Sequence, residues 1–295
     1  MTQGNEISNL WIAPKGEDKS ARQITKGLSD GDSGLTWTGD GKLIYTSNAT
    51  GPYQLWTTDA QGGAPRQLTT EALFHSFPTF CHGLDRIFYI ADASGSNQLW
   101  SADLQNAQVR QETNSDQQFF APDCSPDGTW FVGLTFPKRS SVADFSPGRL
   151  TRIERASGQR QALFEDAAIA PAISPDGKRI AFLYGPGMAP EDSFTAPRIG
   201  ILPAVGGTLE KSFALPSSAR ALIRWTPDGR SVAYVDRQGS TENIWLQPVK
   251  GDKPKQLTHF SEGLIFNFAW SRDGKSLALA RGSQPTDAVM FTSVR

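Results

Sequence analysis

The sequence has few of the residues from which metal centres and disulfide frameworks are built. Among its 295 residues there are two cysteines, Cys81 and Cys124, and three histidines. Two cysteines exclude a multi-disulfide framework and a cysteine-rich zinc module, and the histidines are not spaced like metal ligands. A disulfide between the two cysteines stays open, but we expect free thiols that act as small buried hydrophobic residues. We therefore predict neither a metal site nor a cofactor.

The chain also lacks an excess of charge of either sign and any long apolar run. Its 29 basic and 30 acidic residues almost cancel, so it has no field of the kind that nucleic-acid-binding proteins use. Residues 1–10 lack the basic and apolar regions of a signal peptide, and no apolar run approaches the roughly 20 residues of a membrane helix. We expect no nucleic-acid partner, no direct membrane insertion in this chain, and a monomer. The chain is either complete or a piece of a larger protein.

None of the common catalytic motifs occurs in the sequence in the context that it needs. There is no phosphate-binding Gly-x-x-x-x-Gly-Lys-Ser/Thr loop and no kinase catalytic loop. The Gly-x-Ser-x-Gly pattern of a nucleophile elbow occurs once, at residues 27–31, in a segment that we interpret as a loop between blades rather than as the strand, turn and helix that the elbow requires. Residues 31–34, Gly-Asp-Ser-Gly, resemble the nucleophile segment of chymotrypsin-type proteases. That mechanism needs a histidine before the serine in the chain, whereas His75, His82 and His259 all come after it. We interpret the segment as a turn and predict that the protein is not an enzyme.

What the sequence does have is an internal repeat of about 40–50 residues. Its centre is an aromatic or apolar residue, the lead residue, followed by Ser/Thr-Pro-Asp-Gly or a degenerate form of it. Proline and glycine favour the backbone angles of a tight turn, and aspartate accepts hydrogen bonds from turn amides. The six lead residues are Trp37, Phe80, Cys124, Ile173, Trp225 and Trp270. The turn aspartates, to which we assign a structural role, are Asp40, Asp127, Asp176, Asp228 and Asp273.

Each repeat predicts four short strands, which is the architecture of a β-propeller blade. Residues 9–25 match a third and an outer strand, so they would complete the blade that the last repeat begins. Residues 288–294 also match a third strand, which gives one strand too many. We predict a single all-β domain over residues 1–295, a six-bladed propeller of four-stranded antiparallel blades closed by the N-terminal strands. The alternative is part of a seven-bladed or longer ring.

The repeats resemble the TolB-like family of six-bladed, WD-type propellers, in which aromatic-Ser-Pro-Asp-Gly is the hallmark. A closer likeness is to the C-terminal propeller of bacterial membrane-anchored Ser/Thr protein kinases of the acidobacterial type. It is carried by GLTWTGDG at 34–41 with IYTSN at 44–48, by IRWTPDG at 223–229, and by FNFAWSRDG at 266–274 with ARG at 280–282. The resemblance implies an extracytoplasmic, periplasmic propeller that acts as a sensing or protein-binding module.

Two connections are longer than a propeller needs. In this fold, the connections between second and third strands lie on the same face as those from outer to inner strands. Residues 136–148 and 185–197 exceed the length that the fold requires, and such loops are often functional. The alternative, to which we give equal weight, is that propeller loops tolerate insertion. The candidate binding residues in these loops are Lys138, Arg139, Glu191, Asp192 and Phe194.

Further candidate binding residues are expected around the central channel. Asp123 and Arg224 each precede a lead residue, and we expect these polar side chains to point inward. The connections to the inner strands bring His75, His259 and several aromatic side chains to the same face. A ligand or ion shared by the two histidines is one hypothesis, but we favour two unrelated surface residues. The aromatic residues are Phe74, Phe77, Phe119, Phe120, Phe260 and Phe266.

We therefore expect a non-catalytic propeller that binds a protein, peptide or other ligand on its loop-rich face. It would be the sensor or interaction module of a receptor-type Ser/Thr kinase, or a stand-alone TolB-like relative. One alternative is the accessory propeller of a peptidase, although we expect no hydrolase segment in this chain. Another is a metal-dependent sugar lyase with its site in the channel, which in similar propellers uses a histidine-rich metal centre. The three dispersed histidines count against the lyase.

Overall fold

The computed structural model describes residues 7–70, 75–105, 108–137, 148–186 and 196–283. Within these ranges the chain forms six four-stranded antiparallel sheets and one short 3-10 helix, Asp18–Ser20. The strands follow the repeat because β-branched and aromatic residues alternate with turns rich in glycine and aspartate. The sheets are the blades of an all-β six-bladed propeller, as predicted. In the same ranges, no helix has the length and apolar character needed to cross a membrane.

Strands are numbered in chain order, and blades from the first continuous one. β1 (Ile7–Pro14) and β2 (Arg22–Gln23) precede blade 1, which contains β3 (Leu35–Trp37), β4 (Lys42–Ser47), β5 (Gln54–Asp59) and β6 (Arg66–Gln67). Blade 2 contains β7 (His75–Cys81), β8 (Arg86–Ala91), β9 (Gln98–Asp103) and β10 (Val109–Gln111). Blade 3 contains β11 (Gln117–Cys124), β12 (Trp130–Pro137), β13 (Arg149–Glu154) and β14 (Arg160–Ala162). Blade 4 contains β15 (Ala168–Ile173), β16 (Arg179–Tyr184), β17 (Arg198–Pro203) and β18 (Lys211–Ala214). Blade 5 contains β19 (Ala219–Trp225), β20 (Ser231–Gln238), β21 (Thr241–Pro248) and β22 (Lys255–Gln256), and blade 6 begins with β23 (Leu264–Trp270) and β24 (Ser276–Ser283).

Blade 6 joins strands from the two ends of the described chain. β1 lies antiparallel to β24, with Ile7 opposite Ser283 and Pro14 opposite Ser276, and β2 forms the outer edge. This order confirms that N-terminal strands complete the last blade. Because β23 also contacts β3 of blade 1, the ring closes with six blades. Residues 288–294, predicted as a competing third strand, lie outside the described residues.

Apolar side chains of neighbouring blades meet between the sheets and form the core. Trp225 Nε1 donates a hydrogen bond of 3.0 Å to the carbonyl oxygen of Ala172 in blade 4. Trp37 Nε1 donates one of the same length, 3.0 Å, to Ala269 in blade 6. These two lead tryptophans therefore satisfy their buried polar atom on the preceding blade. Their role is packing between blades, as the repeat predicts.

The repeated turn is held by hydrogen bonds to its aspartate. In blade 3, Ser125 Oγ donates to Asp127 Oδ1 at 2.7 Å, and Asp127 Oδ1 also accepts the backbone N–H of Thr129 at 3.0 Å. Gly128 has a φ of +75°, in the left-handed region that glycine adopts without strain. The bond from serine or threonine to aspartate recurs at Asp40, Asp176, Asp228 and Asp273.

Acidification is expected to destabilise the protein through these turns. The hydroxyl of Ser125 lowers the pKa of Asp127, and the hydroxyl of Ser174 lowers the pKa of Asp176. A carboxylate whose pKa is lower in the folded state contributes stability above its unfolded pKa and loses it as the pH falls through the folded value. The urea midpoint should therefore change little between neutral pH and about pH 5, and fall below about pH 4.

A variant that keeps both aspartates but removes their hydroxyl donors is the control for this pH dependence. The double substitution Ser125→Ala and Ser174→Ala should lower the urea midpoint at neutral pH and make its fall below about pH 4 shallower. Burial raises the pKa of Asp123. Protonation of Asp123 therefore stabilises the folded protein, whereas protonation of the turn aspartates destabilises it. A midpoint that rises on acidification would show that Asp123 outweighs the turns.

The expectation of free cysteines is wrong. Cys81 at the end of β7 and Cys124 at the end of β11 form a disulfide, with their Cα atoms 5.5 Å apart. Cys124 is a lead residue and Cys81 directly follows one, so the two are offset by one repeat position. Neighbouring inner strands converge on the channel, and this offset brings the two Cα atoms within disulfide distance. The bond joins blade 2 to blade 3.

Candidate functional site

The inner strands of the blades surround a central channel with a volume of about 1120 Å³. One opening, which we call the loop face, lies where the inner strands begin. The other opening, the turn face, lies at the repeated turns and includes His82 and Arg272. The loop face is lined by the phenylalanines Phe77, Phe120, Phe136 and Phe266.

Three inner strands contain a strained bulge at one position, three residues before the lead residue. Phe77, Ala121 and Ala170 have φ of +50°, +47° and +50°, and each precedes a proline. The strand register shifts there in blades 2, 3 and 4. Strained backbone of this kind costs on the order of 1–3 kcal/mol and gathers at functional sites, and bulges redirect nearby side chains. Because all three residues line the channel, this wall is the candidate site.

Asp123 lines the channel and connects three blades. Its Oδ2 accepts the backbone N–H of Ile173 in blade 4 at 2.7 Å. Its Oδ1 accepts the backbone N–H of Cys124 at 2.9 Å and the hydroxyl of Thr79 in blade 2 at 3.4 Å. Burial raises the pKa of Asp123, whereas these hydrogen bonds and the charge of Arg224 lower it. The lone pairs of this carboxylate are thus largely used within the protein.

Arg224 lines the channel two blades further round the ring. Its Nη1 donates to the carbonyl oxygen of Ile223 at 2.8 Å, and its Nη2 donates to Asn267 Oδ1 in blade 6 at 3.3 Å. Burial lowers the pKa of Arg224 and the charge of Asp123 raises it, but a guanidinium stays protonated in proteins. Asp123, Ala172 and Arg224 occupy the same repeat position in blades 3, 4 and 5. Opposite charges therefore lie on either side of a small apolar residue.

The loop face presents aromatic rings beside an arginine that is held in place. Phe120 lines the opening and Phe77 is 39% exposed there. Arg220 forms an ion pair of 3.1 Å with Glu242, whose side chain is 1% exposed. The guanidinium of Arg220 also lies 5.4 Å from the ring centre of Phe266. Phenylalanine and arginine are among the residue types enriched at the core of protein interfaces.

The two candidate histidines lie apart from this channel. His75 is the first residue of β7 and is 2% exposed, with its ring centre 5.3 Å from that of Tyr89. It is not the surface residue that we expected, because the strand begins at His75 rather than after it. The side chain of His259 is 65% exposed and lies 4.0 Å from Asp18. Neither histidine lines the channel, and no cluster of three or more His, Cys, Asp or Glu side chains in the described ranges could hold a metal ion.

The other aromatic candidates divide between the core and the surface. Phe119 is fully buried, because successive residues of β11 face opposite sides and Phe120 takes the channel side. Phe260 packs 4.2 Å from the guanidinium of Arg281 and does not line the channel. The remaining candidates, with most of segments 136–148 and 185–197, lie outside the described residues: Phe74, Lys138, Arg139, Glu191, Asp192 and Phe194.

Sequence reasoning missed Arg220, Asn267 and the bulges. Arg220 and Asn267 precede their lead residues by five and three residues, which are odd offsets like those of Asp123 and Arg224. Alternate residues of a strand share a face, so this spacing could have assigned Asn267 to the channel. It could not have assigned Arg220, because Phe119 has the same offset of five residues in blade 3 and is buried. The bulges also leave a signal, because the strained residue is followed by proline at 78, 122 and 171.

No model of a protein family matches the sequence, and no curated protein matches it. Among solved structures, TolB from Acinetobacter baumannii is similar over 96% of this chain and 66% of its own, with 17% identity and a TM-score of 0.61. Oligogalacturonate lyase in complex with manganese is similar over 81% of this chain and 67% of its own, with 19% identity and a TM-score of 0.58. A puromycin-hydrolysing peptidase from Mycobacterium tuberculosis is similar over 84% of this chain and 43% of its own, with 16% identity and a TM-score of 0.56. These similarities show the fold alone, and that fold is a TolB-like six-bladed β-propeller.

Proposed function

We propose that this protein is a non-catalytic propeller that binds a segment of a protein or peptide at the loop face of its channel. The observation that carries the proposal is the aromatic opening of Phe77, Phe120 and Phe266, with Arg220 fixed beside it. Concave apolar sites with a few fixed polar groups are the usual form of binding pockets. Arginine and phenylalanine are also enriched at the core of protein interfaces.

The proposal extends to where the module acts. We infer an extracytoplasmic, periplasmic location, either in a receptor-type Ser/Thr kinase as its sensor domain or as a stand-alone TolB-like relative. The Cys81–Cys124 disulfide supports this location, because disulfides persist in oxidising compartments and are rare in the cytosol. The sequence likeness to kinase-associated propellers supports the sensor role. The partner is a protein or peptide, and the module itself is a monomer.

Two enzymatic functions compete with this proposal, the accessory propeller of a peptidase and a metal-dependent sugar lyase. An oligogalacturonate lyase and a puromycin-hydrolysing peptidase are among the similar structures. Their sequence identities to this chain are so low that the similarity shows only the fold. The lining of the channel supports a binding function better than either enzymatic function. It consists largely of aromatic residues, prolines and alanines, and its polar side chains Asp123 and Arg224 form hydrogen bonds with neighbouring blades.

The test is selection from a library of short random peptides displayed with free C termini, on the immobilised wild-type protein. Affinities are then measured with synthetic copies of the selected peptides. Ala221 is exposed and lines the opening, so Ala221→Trp is expected to fill it. The selected peptides should bind this variant more weakly by roughly tenfold or more.

The matched control is Ala156→Trp, in the exposed turn between β13 and β14 and outside the channel lining. It should bind the selected peptides like the wild type. If Ala221→Trp binds the selected peptides as the wild type does, the peptides bind outside the channel. Failure to select any peptide would refute the proposed function itself.

A further inference from the structure

Arg224 lies inside the channel, and in the described ranges no carboxylate lies within 4.0 Å of its guanidinium. Three other charged residues that line the channel have a partner or contact water. Arg220 is paired with Glu242 at 3.1 Å, and Asp32 accepts the hydroxyl of Tyr53 at 2.5 Å. Arg272 is exposed at the turn face, where water solvates it. Among these described channel residues, Arg224 is therefore the cation with no carboxylate in direct contact, and the charge of Asp123 acts on it only at longer range.

The guanidinium of Arg224 keeps N–H donors for a ligand. Its described hydrogen bonds run from Nη1 to a backbone carbonyl and from Nη2 to the amide oxygen of Asn267. Both acceptors are neutral, so they orient the group without cancelling its charge. Asp123, the carboxylate whose charge acts on Arg224, already accepts three hydrogen bonds, from Ile173, Cys124 and Thr79.

The position of Arg224 along β19 sets how a ligand reaches it. Ala219, where β19 begins at the loop face, lies opposite Asp236, and Arg224 lies opposite Ala233, three residues further along the partner strand, so Arg224 lies about 10 Å into the channel at the rise of a β-strand. An extended peptide has a similar rise, and about three of its residues would cover this depth. A chain end enters as a single strand, whereas an internal segment must turn and return through the same ring.

Building on the proposed function, we propose that the channel binds the free C-terminal carboxylate of an extended peptide, with Arg224 as its anchor. Guanidinium and carboxylate match in geometry through parallel N–H···O bonds. The aromatic rings of the loop face would contact the side chains that precede the terminus. A phosphate carries more negative charge and would meet the repulsion of Asp123 at the same repeat position, so the monoanionic carboxylate is the better fit.

The experiment compares each selected peptide with the same peptide amidated at its C terminus. Removing the carboxylate is expected to weaken binding to the wild type by roughly tenfold to a hundredfold, as for a lost charge-assisted hydrogen bond. Arg224→Gln should bind acid and amide forms alike. Arg230→Gln is the matched control, because Arg230 belongs to the same blade but has an 86% exposed side chain at its turn. It should keep the preference of the wild type for the acid.

The outcomes separate this inference from the proposed function. Equal binding of acid and amide by the wild type would overturn the inference and leave peptide binding at the loop face intact. A preference for the acid that survives in Arg224→Gln would place the anchor elsewhere. Stronger competition by inorganic phosphate than by acetate would identify a phosphate site instead. The amidation arm uses unaltered protein, so it decides the matter even if Arg224→Gln does not fold.

Discussion

Reducing the Cys81–Cys124 disulfide is expected to lower the free energy of unfolding by about 4 kcal/mol. The two cysteines are 43 residues apart in sequence, and opening a loop of that size returns conformational entropy to the unfolded chain. The measurement is urea unfolding of the protein with and without reductant. The urea midpoint of the wild type should fall on reduction.

The double variant Cys81→Ala and Cys124→Ala controls for other effects of the reductant. It should resemble the reduced wild type, and reductant should not change its urea midpoint. A wild-type midpoint that is the same in both conditions would mean that the disulfide does not constrain the unfolded chain. The result also bears on the proposed location, because a module that loses this much stability on reduction is suited to an oxidising compartment.

Replacing Asp123 by alanine is expected to cost about 2–4 kcal/mol of stability. The substitution leaves the backbone N–H groups of Ile173 and Cys124 without their acceptor and breaks the contact with Thr79. A donor that loses its partner is expensive where burial limits its access to water, and Ile173 is buried. Urea unfolding of the oxidised protein measures the loss.

Asp127→Ala is the matched control, since it removes an aspartate with a similar number of hydrogen bonds from the same blade. Asp127 is exposed, so water replaces its carboxylate and the loss of stability should be smaller. Asp123→Asn keeps one acceptor oxygen and should fall between the two. Equal losses for Asp123→Ala and Asp127→Ala would show that the position in the channel adds nothing.

The features that the sequence predicted well are those that repeat. Six copies of one turn specify the number of blades, because the same Ser/Thr, Asp and Gly preferences act locally in each copy. The lead tryptophans and the closing strand at residues 9–14 followed from the same register. Inward placement of Asp123 and Arg224 followed from their common offset to the lead residue.

The features that it did not predict depend on contacts between repeats. Cys81 and Cys124 belong to different blades, and only the convergence of inner strands brings their Cα atoms together. The burial of His75 depends on where β7 begins, which differs from the shorter inner strand of blade 1. Asp123 accepts the N–H of Ile173 across a blade boundary, a contact that no single repeat contains.

The pairing of β1 with β24 also bears on how the ring forms during synthesis. Ile7 pairs with Ser283, so the chain from residue 7 to residue 283 must leave the ribosome before β1 meets its partner. At typical rates of synthesis that delay is on the order of tens of seconds. Blades 1 to 5 consist of consecutive segments and are able to form in order of their synthesis, whereas blade 6 forms last. The strand pairing that closes the propeller therefore has the largest sequence separation, and contacts of this kind form most slowly.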